Sequence, residues 1–191
     1  MSPRTPEQFE EIREEKKKLI MEVGLELFAN DGYYSTSISK IAKKAGISKG
    51  LMYNYFESKE HLLKVITLDG LNEILESFNP NQDKTLTKEE FIYFIRKSTE
   101  MIKMQMNFWK LYFSLMAQPQ VLKVLGEDFM SSFDQYFKIL GDYFTSQGFK
   151  DGYAEVRFFA AMLDGITLHY ILDPENFPYE QVVERIINIY A

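Results

Sequence analysis

Between Lys40 and Tyr55 the chain carries four lysines, Lys40, Lys43, Lys44 and Lys49, and no carboxylate. Around them stand Ser37, Ser48, Tyr53, Asn54 and Tyr55, neutral side chains that donate and accept hydrogen bonds. Cations interleaved with hydroxyls and an amide suit the holding of a phosphate polyanion, since local potential matters more for that than total charge. No set here or elsewhere suits bond-breaking chemistry. The chain has no Ser/His/Asp or Cys/His combination, no phosphate-binding glycine loop and no metal-ligand spacing. No enzymatic activity, cofactor or metal is therefore expected. The only histidines, His61 and His169, are far apart.

The spacing of neighbouring residues says how this set is held. Ser37 is a good N-cap, because its hydroxyl can accept from an unpaired first-turn amide. Ile38, Ile41, Ala42 and Ala45 then fall at i, i+3, i+4 and i+7, one apolar stripe of a short helix. Gly46 occupies the position where a helix end wants left-handed backbone. Ile47 returns to the core, and Ser48 caps a second helix predicted from Lys49 to about Phe56. Leu51, Met52 and Phe56 are expected to face inward, leaving Lys49, Gly50, Tyr53 and Asn54 at the front. Gly50 costs a helix about 1 kcal/mol against alanine, which makes sense if a bulky phosphate must come close. Helix, glycine turn, helix is the arrangement that lays its second helix in a DNA major groove.

The run T-S-I-S-K-I-A-K-K-A-G-I-S-K-G-L-M-Y-N-Y-F-E-S-K-E-H-L-L closely resembles the helix-turn-helix signature of the TetR/AcrR transcriptional regulators, and the likeness extends without gaps from Phe28 to Leu63. The resemblance implies an all-α protein that binds a double-stranded DNA operator as a homodimer. It implies a repressor with a ligand-binding C-terminal domain. By the same resemblance Lys49, Gly50, Tyr53 and Asn54 face base edges, Tyr53 against thymine methyls or sugar and Asn54 able to pair with adenine. Ser37, Ser48, Tyr55 and Lys59 would hold phosphates, which positions the reading helix without specifying sequence.

The remaining chain follows that plan. Residues 1–8, with Pro3 and Pro6, are expected to form an arm, and a helix is predicted from about Phe9 to Asn30. Residues 1–59 make the predicted DNA-binding domain and residues 60–191 a helical ligand-binding and dimerisation domain. A helix from Ser58 to about Phe78 connects them, and Pro80-Asn81-Gln82-Asp83 breaks the chain. Thr87-Lys88-Glu89-Glu90 opens a helix to about Met104 with a capping box. Further helices are predicted over 107–117, 120–146, 151–172 and from Pro178 onward, with Gly126 and Gly141 as candidate breaks in the long one. The net charge of −6 divides unevenly. Residues 1–66 hold 11 basic and 10 acidic side chains, so the acid excess lies in the second domain. With no cysteine, no apolar leader and no apolar run of membrane-spanning length, a cytoplasmic protein with no membrane partner is expected.

The second domain is rich in aromatics and methionines, an adaptable interior. Relatives bind inducers there. Met101, Phe108, Trp109, Tyr112, Phe113, Phe133, Tyr136, Phe137, Met162 and His169 are the candidate lining for a largely apolar inducer. Asp164 would either cap locally or orient that ligand. Helices 151–172 and 178–190 of two subunits would form the dimer interface. Ala160, Ala161 and Gly165 would allow close approach, and Val183, Ile186, Ile187 and Tyr190 would supply area. The alternative reading is a regulator, or an activator, without a small-molecule inducer, constitutive or controlled by a protein partner.

Overall fold

The computed structural model describes residues 5–76, 83–131 and 133–191, and among these every regular element is a helix. In order they are α1 (Pro6–Asp31), α2 (Ile38–Lys44), α3 (Lys49–Met52), α4 (Lys59–Glu76), α5 (Lys88–Met104), α6 (Met106–Met116), α7 (Pro119–Ser131), α8 (Asp134–Ser146), α9 (Gly152–Leu172) and α10 (Tyr179–Tyr190). They form two compact units. One comprises residues 1–68 and 110–125, the other 69–109 and 126–191. A stretch of α6 and α7 thus packs with the N-terminal helices. The expected proline arm shrinks: Thr5 caps α1 in a capping box with Gln8, and Pro6 occupies the first turn. Pro3 and the Pro80-Asn81-Gln82 break lie outside the described residues.

In the first unit α1 buries Ile20, Val23, Leu27 and Phe28, and α4 buries Leu62, Leu63 and Ile66. A Cβ on Gly24 would lie 3.0 Å from Ile66 Cδ1, so α1 and α4 are close neighbours. Met52 and Phe56 are fully buried, as their spacing predicts. Leu51 is not: it is exposed. Its helix is shorter than expected. After Met52 the amides of Asn54 and Tyr55 donate to Leu51 and Met52 carbonyls, both at 3.1 Å, three residues back. The Phe56 amide still donates to the Met52 carbonyl at 3.1 Å, so Met52 and Phe56 stay one helical turn apart on the buried face, with Leu51 outside it.

The second unit is built on aromatic contacts. Phe91 of α5 stacks on Tyr143 of α8 with ring centroids 4.9 Å apart, and Phe144, Phe159 and Tyr190 close around it. The Tyr143 hydroxyl donates to the Tyr190 carbonyl at 3.0 Å, and the Tyr190 hydroxyl to Glu155 at 2.7 Å, so the buried phenols are satisfied. The predicted single helix over 120–146 is two helices. Gly126 holds φ 76°, ψ −173°, a conformation open to glycine, and breaks α7. Gly141 breaks nothing. It lies inside α8, where its backbone meets that of Gly152 at the start of α9. A Cβ on Gly152 would lie 2.2 Å from the Gly141 carbonyl oxygen.

Candidate nucleic-acid interface

Local hydrogen bonds build the helix-turn-helix. The Ser37 hydroxyl accepts from the Lys40 amide at 3.2 Å and starts α2. At its end Gly46 takes φ +67°, the Ile47 amide donates to the Ala42 carbonyl at 3.0 Å and the Gly46 amide to Lys43 at 3.3 Å. This is a Schellman closure, in which the glycine reverses the chain while the last carbonyls stay bonded. Ser48 then accepts from the Leu51 amide at 3.0 Å, and Ser58 from the His61 amide at 3.0 Å at the head of α4.

Ser37, Ser48, Lys49, Gly50, Tyr53 and Asn54 are all exposed on this frame. Tyr55 is half-buried. A Cβ on Gly50 would meet only the Ser48 hydroxyl, at 3.9 Å, so the backbone there stands open. Five exposed polar side chains at the heads of α2 and α3 and just after α3, with the open backbone of Gly50 among them, form a surface able to meet both phosphates and base edges.

Charge is distributed less simply than along the sequence. Lys40 lies 2.9 Å from the Asp31 carboxylate, and Lys44 lies 2.5 Å from that of Glu26. Both acids come from α1, outside the acid-free stretch. Lys43 and Lys49 have no carboxylate partner among the described residues and supply the uncompensated charge of α2 and α3.

Lys59 does not stand with the exposed set. Its ammonium donates to the Tyr33 carbonyl at 2.9 Å and the Thr36 carbonyl at 3.1 Å, and lies 4.2 Å from the centroid of the Tyr33 ring. The Tyr33 hydroxyl in turn donates to Glu60 at 2.9 Å. The Glu60 backbone amide, and then this hydroxyl, hold the Glu60 carboxyl below the usual carboxylate range. Tyr33, Thr36 and Glu60 carry no local sequence signal for this role, because their pairing joins residues more than twenty positions apart.

The candidate inducer residues are not gathered in one unit. Tyr112 and Phe113 belong to the first and meet edge-on at 5.2 Å. Phe108 is buried in the second, its ring lying against Gly70 of α4. Trp109, Tyr136, Phe137 and Met162 pack against the aromatic core, and Phe133 lies 6.0 Å from Phe137. Met101 is half-buried on α5. His169 is exposed and stacked on Phe177 at 6.2 Å, so it does not join them. Asp164 is half-buried on α9, and desolvation, only partly offset by Arg157, pushes its pKa up to about 6.

The expected dimer-interface residues need a correction. Val183, Ile186, Ile187 and Tyr190 are core residues of the second unit, Ile186 only 2% exposed. The α10 face that carries them turns onto α5 and α9 of the same chain. Apolar residues left outside include Phe158, Ala161, Leu168 and Leu172 on α9 and Ile189 on α10, with Phe158 63% and Leu172 72% exposed. Gly165 lies in the same row, with open space where a Cβ would stand. The spacing 158, 161, 165, 168, 172 is one helical stripe and was visible in the sequence.

Residues 20–66 match the family model described as bacterial regulatory proteins, tetR family. The uncharacterized HTH-type transcriptional regulator YuxN of Bacillus subtilis (strain 168) is 49% identical over 74 residues, 39% of this chain and 22% of that protein. The fatty acid metabolism regulator protein of the same organism is 30% identical over 84 residues, 44% of this chain and 43% of that protein. The chain thus spans less than half the length of these relatives. Among solved structures, the fatty acid degradation regulator FadR of Bacillus halodurans superposes with a TM-score of 0.69 at 16% identity, covering 99% of this chain and 96% of that one. The fold is shared along the chain, and the likeness to the TetR family of transcriptional regulators lies in the helix-turn-helix segment, residues 20–66.

Proposed function

We propose that this chain is a TetR-family homodimeric repressor that leaves a palindromic DNA operator when a largely apolar small molecule binds its second unit. The observation that carries the reading is the exposed row Ser37, Ser48, Lys49, Gly50, Tyr53 and Asn54 on a fully capped helix-turn-helix. Lys49, Gly50, Tyr53 and Asn54 meet base edges, Asn54 with the geometry to pair with adenine. Ser37, Ser48 and Tyr55 hold phosphates, and Lys43 joins them. A second copy covers the α9 stripe through Phe158, Ala161, Gly165, Leu168 and Leu172. A self-complementary face of this kind pairs about a two-fold axis, which matches a palindromic site.

The ligand reading rests on the aromatic and methionine side chains of the second unit, an apolar lining that would do little to offset the desolvation of a polyanion. Two relatives are named as regulators of fatty acid metabolism or degradation, which favours an acyl compound as the first to try. Within the second unit Phe108 rests directly on Gly70, where a Cβ would lie 2.3 Å from the ring. Movement of α6 on ligand binding would therefore press on α4. The coupling is bounded by the ligand's preference between the two states. Selection of bound sequences from a randomised duplex library tests the DNA part. Enrichment of a two-fold symmetric site, lost on adding medium-chain and long-chain acyl compounds, is the expected result. Recovery of unselected sequence alone would refute it.

A further inference from the structure

We infer that Lys59 is a positioning residue that locks the α1–α2 loop onto the head of α4, and is not a phosphate contact. The inference rests on the DNA-binding reading of the helix-turn-helix. An ammonium has three N–H donors. At Lys59 two are used on the carbonyls of Tyr33 and Thr36, and the charge faces the Tyr33 ring. The next residue, Glu60, takes the hydroxyl of the same tyrosine. Adjacent side chains of opposite charge thus hold Tyr33 by its backbone, its ring face and its phenol. Thr36, itself 1% exposed, donates to the Leu27 and Gly32 carbonyls at 3.2 and 2.9 Å. Its neighbour Ser37 is the N-cap of α2.

The chain of contacts therefore runs from the start of α4, through Lys59 and Glu60, to the residue before the first helix of the DNA-binding pair. With two of its three donors on carbonyl oxygens and its charge over a ring, the ammonium keeps only one donor that a phosphate could use. Losing the ammonium would free the loop that aims Ser37 and α2.

The two roles separate by salt dependence. A phosphate contact contributes about 0.9 to the slope of log affinity against log salt concentration, whereas a positioning contact contributes none. Binding of the full chain to mixed-sequence duplex DNA is measured across salt for the wild type, Lys49→Gln, Lys59→Met and Tyr33→Phe, well below each melting temperature. Lys49→Gln is expected to flatten the slope. Lys59→Met is expected to keep it and to lose affinity by one constant factor of about five, the order of one net hydrogen bond. Tyr33→Phe, which removes no charge, is expected to lose affinity in the same salt-independent way. A flattened slope or unchanged affinity in Lys59→Met overturns the inference. If Lys59→Met fails to fold, the wild-type Lys59 ammonium signal in a nitrogen-15 spectrum decides. It should be exchange-protected and stay in place when duplex is added, and a shift on addition overturns the inference. If Lys49→Gln leaves the slope unchanged, the DNA reading fails instead.

Discussion

Glu26 of α1 lies 2.5 Å from the ammonium of Lys44 on α2, and it brings a negative charge to the face on which phosphates are expected. Asp31 does the same to Lys40 at 2.9 Å. Exposed pairs of this kind contribute about 0–1 kcal/mol each to stability. Glu26→Gln combined with Asp31→Asn should therefore keep the fold. It should bind mixed-sequence duplex more tightly at low salt, by about fivefold to tenfold, with the gain fading as salt rises. Fluorescence anisotropy across salt measures this, and weaker binding at low salt would show that the pairs support the interface.

Asn54 stands exposed on the tight turn that follows α3. Asn54→Ala should lose discrimination at one base pair, about 1–3 kcal/mol, and leave the salt slope alone. Competition with single-base variants of the selected operator reads this directly. A uniform loss over all variants would make Asn54 a backbone contact.

The α9 stripe and the buried face of α10 respond oppositely to charge. Phe158→Glu with Leu168→Glu alters side chains already in solvent, so the chain should keep its helical content but sediment as a monomer and lose operator affinity. Ile186→Glu buries a carboxylate in the aromatic core and should unfold the second unit, since an unpaired buried charge costs several kcal/mol. Circular dichroism with sedimentation separates the two. A dimer persisting in the α9 variant would move the interface elsewhere.

Asp164 makes stability depend on pH with a definite sign. Its folded pKa, pushed up to about 6 by desolvation, exceeds the ordinary 3.8, so the folded state binds the extra proton between these values. Its contribution is present below about pH 4 and is lost as pH rises through about 6. Asp164→Asn should add about 1–2 kcal/mol at pH 7–8, allowing for solvent screening, and little at pH 4. Urea titrations at the two pH values test it. Equal gains at both would mean that the carboxyl is not desolvated.

Gly152 should tolerate no side chain. Gly152→Ala places a methyl 2.2 Å from the Gly141 carbonyl oxygen, a backbone atom that moves only if α8 and α9 part. Overpacking of this kind costs about 1–3 kcal/mol. Gly50→Ala meets open space and should leave folding stability intact or raised, so the pair calibrates the measurement.

Features closed by hydrogen bonds over a few residues were legible in the sequence. The caps at Ser37, Ser48, Ser58 and the Thr87–Glu90 box form because donor and acceptor lie three positions apart, and Gly46 turns because its own backbone allows it. The order of helices and most of their limits follow from those signals. Features that need two distant segments were not legible. No local pattern says that Glu26 and Asp31 reach Lys44 and Lys40, or that Lys59 turns to the Tyr33 and Thr36 carbonyls. Nor does apolar spacing say what an apolar face will cover. Val183, Ile186, Ile187 and Tyr190 make as good a stripe as Phe158, Ala161, Leu168 and Leu172, yet the first closes the core and the second faces solvent. Gly126 and Gly141 look alike as helix breakers. Only the position of Gly152 against Gly141 made one of them a contact rather than a break, because burial is a property of what lies opposite and not of the residue itself.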